Sequence, residues 1–291
     1  MTEIIQNLAQ ISHRYEALFV DLWGCVHNGI KAYPEAVAAL VDYRATTGGK
    51  VILVTNSPRP RAEVADQIAA FGVPDHAWDD IATSGDSARA AMFQGAVGSK
   101  VYHIGTPDET GFFEPLKIID NPSEITLVPL DQAEGIVCTG PFDPFADPAT
   151  YRPQFLLAKE RGLKMLCANP DIVVDRGDSR EWCAGALAEL YTEMGGESLY
   201  FGKPHPPIYD LARKRLRKHA SVDDSAILCI GDGIHTDISG GIGEGLDTLF
   251  ITGGLAAADF GPDVQNPDPT LMARWFDTQQ IAPMAAIPFL R

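Results

Sequence analysis

The sequence predicts an α/β protein, a parallel sheet covered by helices with a second α/β domain inserted into it. Three observations predict this. Short β-rich runs that stop abruptly in polar residues or glycine recur along the 291 residues, a helical pattern separates the first two, and the middle of the chain carries strand-like pieces of its own.

The runs are ALFVDLWG at 17–24, KVILVTNS at 50–57, SAILCIGDG at 225–233 and TLFITGG at 248–254. Each reads as a buried parallel strand, apolar on both faces. Between the first two, PEAVAALVDYR places Val37, Leu40, Val41 and Arg44 at helical spacing, after Pro34 and before Gly48 and Gly49. That is a βαβ unit. Parallel sheets bind ligands beyond the carboxyl ends of their strands, so the polar residues ending these runs should converge. They are Asp21, then Thr55 with Asn56 and Ser57, then Asp232. In the middle, VYHIG at 101–105, GIVCTG at 135–140 and KMLCANPD at 164–171 alternate with helix candidates. They predict an inserted α/β domain over residues 84–197, within a first domain formed by 1–83 and 198–291.

Charge narrows the partners. With 23 basic and 39 acidic side chains the formal net charge is -16, which repels a polyphosphate backbone and excludes nucleic acid. A small phosphate ester stays compatible, because one site can supply metal charge, a lysine and backbone N–H groups. The five cysteines are odd in number, far apart and without zinc-like spacing, as expected of reduced thiols in a cytoplasmic protein. The N-terminus has no basic start followed by an apolar stretch, and no apolar run reaches about 20 residues. Neither export nor a membrane partner is predicted.

The chemistry sits at the strand ends. Asp21 lies where a strand opens into the loop DLWGCVHNG; a single Asp there is equally a turn or cap residue. VTNSP offers a hydroxyl, an amide and backbone N–H groups suited to phosphoryl oxygens, although Thr55 or Ser57 would equally cap the helix suggested by RAEVADQIAAFG. In FGKPHPPIYDLA, Lys203 precedes a helix candidate, where its charge would offset a nucleophile and a phosphate together. GDGIHTDISGG places Asp232 and Asp237 around a glycine-rich turn, a pair of carboxylates that suits Mg²⁺.

Taken in order, Asp, Thr-Asn, Lys and Asp with a second Asp resemble the four motifs of the haloacid dehalogenase superfamily, and in particular its class IIA, the NagD-like and nitrophenylphosphatase-like group. TSGDSARAAM, CTGPFDP, CANPD and the long interval before GKP fall where that class carries them. The resemblance implies a Rossmann-like core with a C2-type cap as the inserted domain. It implies Asp21 as nucleophile and Mg²⁺ ligand, Thr55 and Asn56 as phosphate binders, Lys203 as charge stabiliser and Asp232 as metal ligand. Asp237 would orient Lys203 or a metal-bound water. The implied activity is Mg²⁺-dependent hydrolysis of a small phosphorylated metabolite through an aspartyl-phosphate, by a protein that pairs through its cap into a homodimer.

One position departs from that pattern. The first motif normally reads Asp-x-Asp, the second Asp protonating the leaving oxygen, and here that position is Trp23. The resemblance gives the backbone carbonyl at this position to the metal, so cation binding survives the change. An indole N–H donates a hydrogen bond but shuttles no proton. A positioned general acid contributes about 10²–10⁴ in rate, so its loss raises the barrier by roughly 3–5 kcal/mol for a poor leaving group. Two outcomes are expected: a preference for aryl or acyl phosphates, or proton supply by His27 from the same loop, where a backbone hydrogen bond is the simpler role. His205 and His235 read as loop or cap-contact residues, and Cys25 either as a reversibly oxidised thiol or, more simply, as a buried inert one. A catalytically weak phosphometabolite-binding protein is the competing reading. A halide-displacing enzyme would leave GDGIHTD unused, and a phospho-acceptor receiver domain would be much smaller.

Overall fold

The protein is described by a computed structural model that covers residues 2–107, 109–116, 121–176 and 179–291. Numbered along the chain, strands β1 to β4 are Glu3–Ile4, Ala17–Val20, Lys50–Thr55 and Asp80–Thr83. Strands β5 to β11 are Lys100–Ile104, Thr126–Leu127, Gly135–Cys138, Lys164–Cys167, Val173–Arg176, Ser179–Trp182 and Glu197–Tyr200. The last three, β12 to β14, are Ile227–Gly231, Asp247–Ile251 and Ala285–Ile287.

The chain divides into two units, one of Met1–Thr55, Ala65–Ala82 and Tyr209–Arg291, the other of Asn56–Val64 and Thr83–Ile208. The second unit takes in more than the expected 84–197. Strand β11 pairs with β8 along its whole length, Glu197 with Lys164 through Tyr200 with Cys167, so a boundary at 197 would cut a strand out of its sheet.

The first unit is built on a seven-stranded sheet in the order β1-β14-β13-β12-β2-β3-β4. Every residue of β2 and β12 is buried, as both-face burial of a central parallel strand requires. Strand β2 pairs in parallel with β3 on one side and β12 on the other, Val20 facing Leu53 and Ile230. From β2 the order runs outward through β3 and β4, and from β12 it runs the other way through β13 and β14. The carboxyl ends of β2 and β12 therefore flank a topological switch point, where open parallel sheets place their ligands.

The connection from β2 to β3 is helix Pro34–Thr47, with proline in its first turn and Gly48 at φ 72° ending it. Its buried stripe is Ala36, Leu40 and Tyr43, not the Val37, Leu40, Val41 face that spacing suggested. The far side is held by charge: Arg44 donates to both oxygens of Asp79, at 3.1 and 2.7 Å, and Asp79 also accepts the Val51 N–H at 2.8 Å. One apolar cluster of this unit joins Ile234, Ile238, Phe250, Phe260, Met272 and Phe276.

The second unit carries a five-stranded parallel sheet, β11-β8-β7-β5-β6, and the antiparallel pair β9–β10. Alternation along its strands fills two cores. Ile136, Cys138, Met165 and Cys167 pack to one face, while Val137 and Leu166 pack to the other with Val101 and Phe112. The molecule is thus mixed α/β with a parallel-sheet core in each unit. Among the described residues no helix is long and apolar enough to cross a membrane.

Candidate active site

In the first unit, Asp21 directly follows β2, and its N–H donates to the Ile230 carbonyl at 2.8 Å, which carries the strand pairing one step past the end of β2. Register alone then brings it beside Asp232, the residue after β12. A carboxylate oxygen of Asp21, the Cys25 sulfur and a carboxylate oxygen of Asp232 all lie within 4.8 Å of one another, and all three residues are buried. Two carboxylates this close repel each other unless a cation or proton lies between them. Hard oxygen donors of this kind fit Mg²⁺, with Asp21 and Asp232 as its protein ligands. Burial, with the charges of Cys25 and Asp232 adding to it, pushes the Tyr33 hydroxyl pKa up.

Close approach of backbone makes the cluster possible. A β-carbon on Gly24, at φ 78°, would lie 2.2 Å from Asp232 Oδ2, and one on Gly254 would lie 2.1 Å from the same atom. Only glycine fits at either place. Asp232 Oδ2 accepts the Leu255 N–H at 3.0 Å, which fixes the carboxylate over the strand ends.

The loop after Asp21 folds back on itself. The N–H groups of Val26 and His27 both donate to the Leu22 carbonyl, at 2.8 and 3.0 Å, and Gly24 donates to the His27 carbonyl at 2.9 Å. His27 is 2% exposed, its ring edge-on to Trp23 and Phe71. Its Nδ1 accepts the Gly29 N–H at 3.0 Å, which leaves the proton of the neutral ring on Nε2. Burial pushes its pKa down to about 4. The Trp23 ring lies over Gly29, where an added β-carbon would stand 2.4 Å from Cζ2. His27 and Trp23 thus pack with each other and with Gly29 inside the loop.

Asp237, buried, lies on the turn after β12. Its Oδ2 accepts the Gly233 N–H at 3.1 Å and the Thr236 hydroxyl at 3.4 Å, and a β-carbon on Gly231 would lie 2.1 Å from its Cγ. The carboxylate is folded onto its own turn, and the cluster of donor atoms is Asp21, Cys25 and Asp232. Thr55, 7% exposed, ends β3 next to β2. His235, also flanking this motif, is exposed.

In the second unit, Asn56 and Lys203 meet although 147 residues separate them. Lys203 N–H donates to Asn56 Oδ1 at 2.7 Å, and Asn56 Nδ2 donates to the Lys203 carbonyl at 3.1 Å and to Asp171 Oδ1 at 2.8 Å. Both amide hydrogens of Asn56 are engaged, so its side chain has no donor left for a phosphate. What it offers an anion is its backbone N–H. Ser57 ties the same turn to helix Ser84–Phe93 through its carbonyl, which accepts the Gly85 N–H at 3.0 Å. Lys203 itself is 3% exposed. His205 stacks on Tyr200 with ring centroids 5.0 Å apart, and burial lowers its pKa.

Sequence reasoning missed Cys25 as a member of the acidic cluster, and Asp171 as the partner of Asn56. CANPD stood out as a motif but its contact did not.

Comparison with known proteins agrees with this layout. The model of the haloacid dehalogenase-like hydrolases matches residues 18–118, and a HAD-hydrolase-like model matches residues 200–273. An acid sugar phosphatase of Staphylococcus aureus is 24% identical over 258 residues, which cover 87% of this chain and 91% of its own. A possible sugar phosphatase from Cytophaga hutchinsonii shares the fold at a TM-score of 0.78 and 20% identity, over the full length of both chains. A crystal structure from Brucella suis, described as a hydrolase of the haloacid dehalogenase-like family, superposes with a TM-score of 0.84 and covers 99% of this chain and 100% of its own. At 40% identity over that span, with the carboxylates of β2 and β12 where the two family models match, this chain belongs to the haloacid dehalogenase-like hydrolases.

Proposed function

We propose that the protein is a class IIA phosphomonoester hydrolase that acts on a small phosphorylated metabolite through an aspartyl-phosphate at Asp21. The observation that carries this reading is the buried cluster of Asp21 and Asp232 beyond β2 and β12. Its likeness to an acid sugar phosphatase supports the substrate class. Asp21 attacks phosphorus, the bond to the leaving oxygen breaks, and water then attacks the acyl phosphate to release phosphate and restore the carboxylate. Mg²⁺ held by Asp21, Asp232 and the Trp23 carbonyl would neutralise charge on the phosphoryl oxygens. The Thr55 hydroxyl and the Asn56 backbone N–H hold those oxygens, and the Lys203 ammonium offsets the remaining charge. Asp237 keeps the turn behind Asp232 in shape. The second unit serves as a C2-type cap and pairing surface, and five buried cysteines outside any disulfide suit the cytoplasm.

In a Mg²⁺-containing assay with p-nitrophenyl phosphate, wild-type enzyme turns over and Asp21→Asn loses activity by about 10³-fold or more. Normal binding of Mg²⁺ and phosphate without turnover in the wild type would instead favour the non-catalytic phosphometabolite binder, for which Trp23 is the argument.

Trp23 sets the second expectation. With no carboxylic acid beside the leaving oxygen, kcat/KM falls steeply as leaving-group pKa rises across a series of substituted phenyl phosphates. Trp23→Asp flattens that slope and raises turnover of alkyl phosphates by about 10²-fold. A flat slope in the wild type contradicts this.

His27 is assigned to loop order and not to proton supply. Its ring is neutral when folded and takes up a proton below the ordinary value of 6.5 only when unfolded. Its contribution is therefore complete above pH 6.5 and is lost as pH falls towards about 4. Between pH 7 and pH 4.5 urea unfolding of the wild type should lose about 2–3 kcal/mol more than that of His27→Gln. Equal losses, or a shifted acid limb of kcat in the variant, would return His27 to the catalytic group.

A further inference from the structure

Asp171, on the loop between β8 and β9, has no role in the chemistry above. Its surroundings are nonetheless built. The Asp171 N–H donates to Asn169 Oδ1 at 3.0 Å, and its carbonyl accepts the Gly185 N–H at 3.1 Å, fastening the loop to the first turn of helix Ala184–Glu193. A β-carbon on Gly185 would lie 2.1 Å from the Pro170 carbonyl oxygen and 2.4 Å from that of Asp171. The carboxylate thus presents Oδ1 to Asn56 from a fixed backbone.

Asn56 in turn grips both polar groups of the Lys203 backbone, accepting from its N–H and donating to its carbonyl. Rotating the amide by half a turn would set Oδ1 against the Lys203 carbonyl and the Asp171 carboxylate, and Nδ2 against the Lys203 N–H. All three contacts would become repulsive, the one with the charged carboxylate most of all. The residue before Lys203 is equally confined: a β-carbon on Gly202 would stand 2.5 Å from Asn56 Oδ1, 2.6 Å from Pro170 Cδ and 2.6 Å from Ser84 Oγ. Asn56, Pro170 and Ser84 close round the backbone from which the Lys203 side chain springs.

We infer that Asp171 is a positioning residue: it locks the Asn56 amide in the orientation that fixes the Lys203 backbone, and so sets the aim of the ammonium group that binds phosphate. This rests on the phosphatase reading of Lys203. Asp171 touches neither substrate nor reacting atoms in this account, and its effect passes through Asn56. What Asn56 Nδ2 needs from position 171 is an acceptor, and an amide presenting Oδ1 there supplies one.

The test uses the full chain with inorganic phosphate as competitive inhibitor of p-nitrophenyl phosphate hydrolysis, together with thermal unfolding. Asp171→Ala should weaken the phosphate inhibition constant about tenfold, the size expected for loss of one charge-assisted hydrogen bond. Asp171→Asn should recover it to within about threefold of the wild type. In an Asn56→Ala background Asp171→Ala should add less than about twofold, since residues acting through one another are non-additive. If Asp171→Ala does not fold, Asp171→Ser removes the same reach and takes its place. An unchanged phosphate constant in a folded Asp171→Ala or Asp171→Ser protein, or full multiplication of the two effects, overturns the inference while the phosphatase reading stands. Absence of both turnover and phosphate binding in the wild type overturns that reading, and this inference with it.

Discussion

The proximity of two carboxylates at the ends of adjacent parallel strands is the constraint on which the first unit depends. Asp21 and Asp232 are held together by the register of β2 and β12, in which Val20 faces Ile230 and the Asp21 N–H continues the ladder. Their mutual repulsion opposes folding, and the fully buried strands beneath them supply the apolar stabilisation that offsets it. That arrangement explains the glycines as well. Gly24 and Gly254 let backbone close on Asp232, and Gly231 leaves room for Asp237 beside the turn. In the proposed phosphatase a divalent cation would act here twice, once in folding and once in charge neutralisation at the phosphate.

The second unit solves a different problem, the placing of a buried lysine. Lys203 lies far along the chain from Asn56, and hydrogen bonds to its backbone fix the start of its long side chain. In the proposed reaction, a fixed root would reduce the entropy lost when the ammonium meets a phosphate. Asn56 spends both side-chain hydrogens on this task, so in the proposed reaction only its backbone N–H would meet the phosphate. Thr55 and Asn56 are adjacent in sequence yet do different work, one ending a sheet strand and the other clamping a loop.

Much of this was legible in the sequence, for a physical reason: a run of β-branched and aromatic residues that stops at Asp, Thr or Gly marks the end of a buried parallel strand. The ends after Val20, Thr55 and Gly231 were read that way. Strands β4 and β14 escaped because DIAT and AAI are short and alanine-bearing, with no signal beyond their neighbours. The buried face of helix Pro34–Thr47 was misjudged because Tyr43, not Val41, completes the stripe, and its hydroxyl reaches the Tyr15 carbonyl. His27 looked titratable because its burial against Trp23 and Phe71 is a property of the folded loop. Asp171 lies 115 residues from Asn56, a contact that no local pattern encodes.

The central claim is that Asp21 carries the phosphoryl group during turnover. The most direct measurement is acid quench of the enzyme while it turns over an aryl phosphate, followed by borohydride reduction and peptide mass spectrometry. An acyl phosphate at Asp21 is reduced to homoserine, so the account predicts homoserine at position 21 in a fraction of the chains, dependent on both substrate and Mg²⁺. Active enzyme that yields unmodified Asp21 under every quench time, or homoserine at another aspartate, would contradict it.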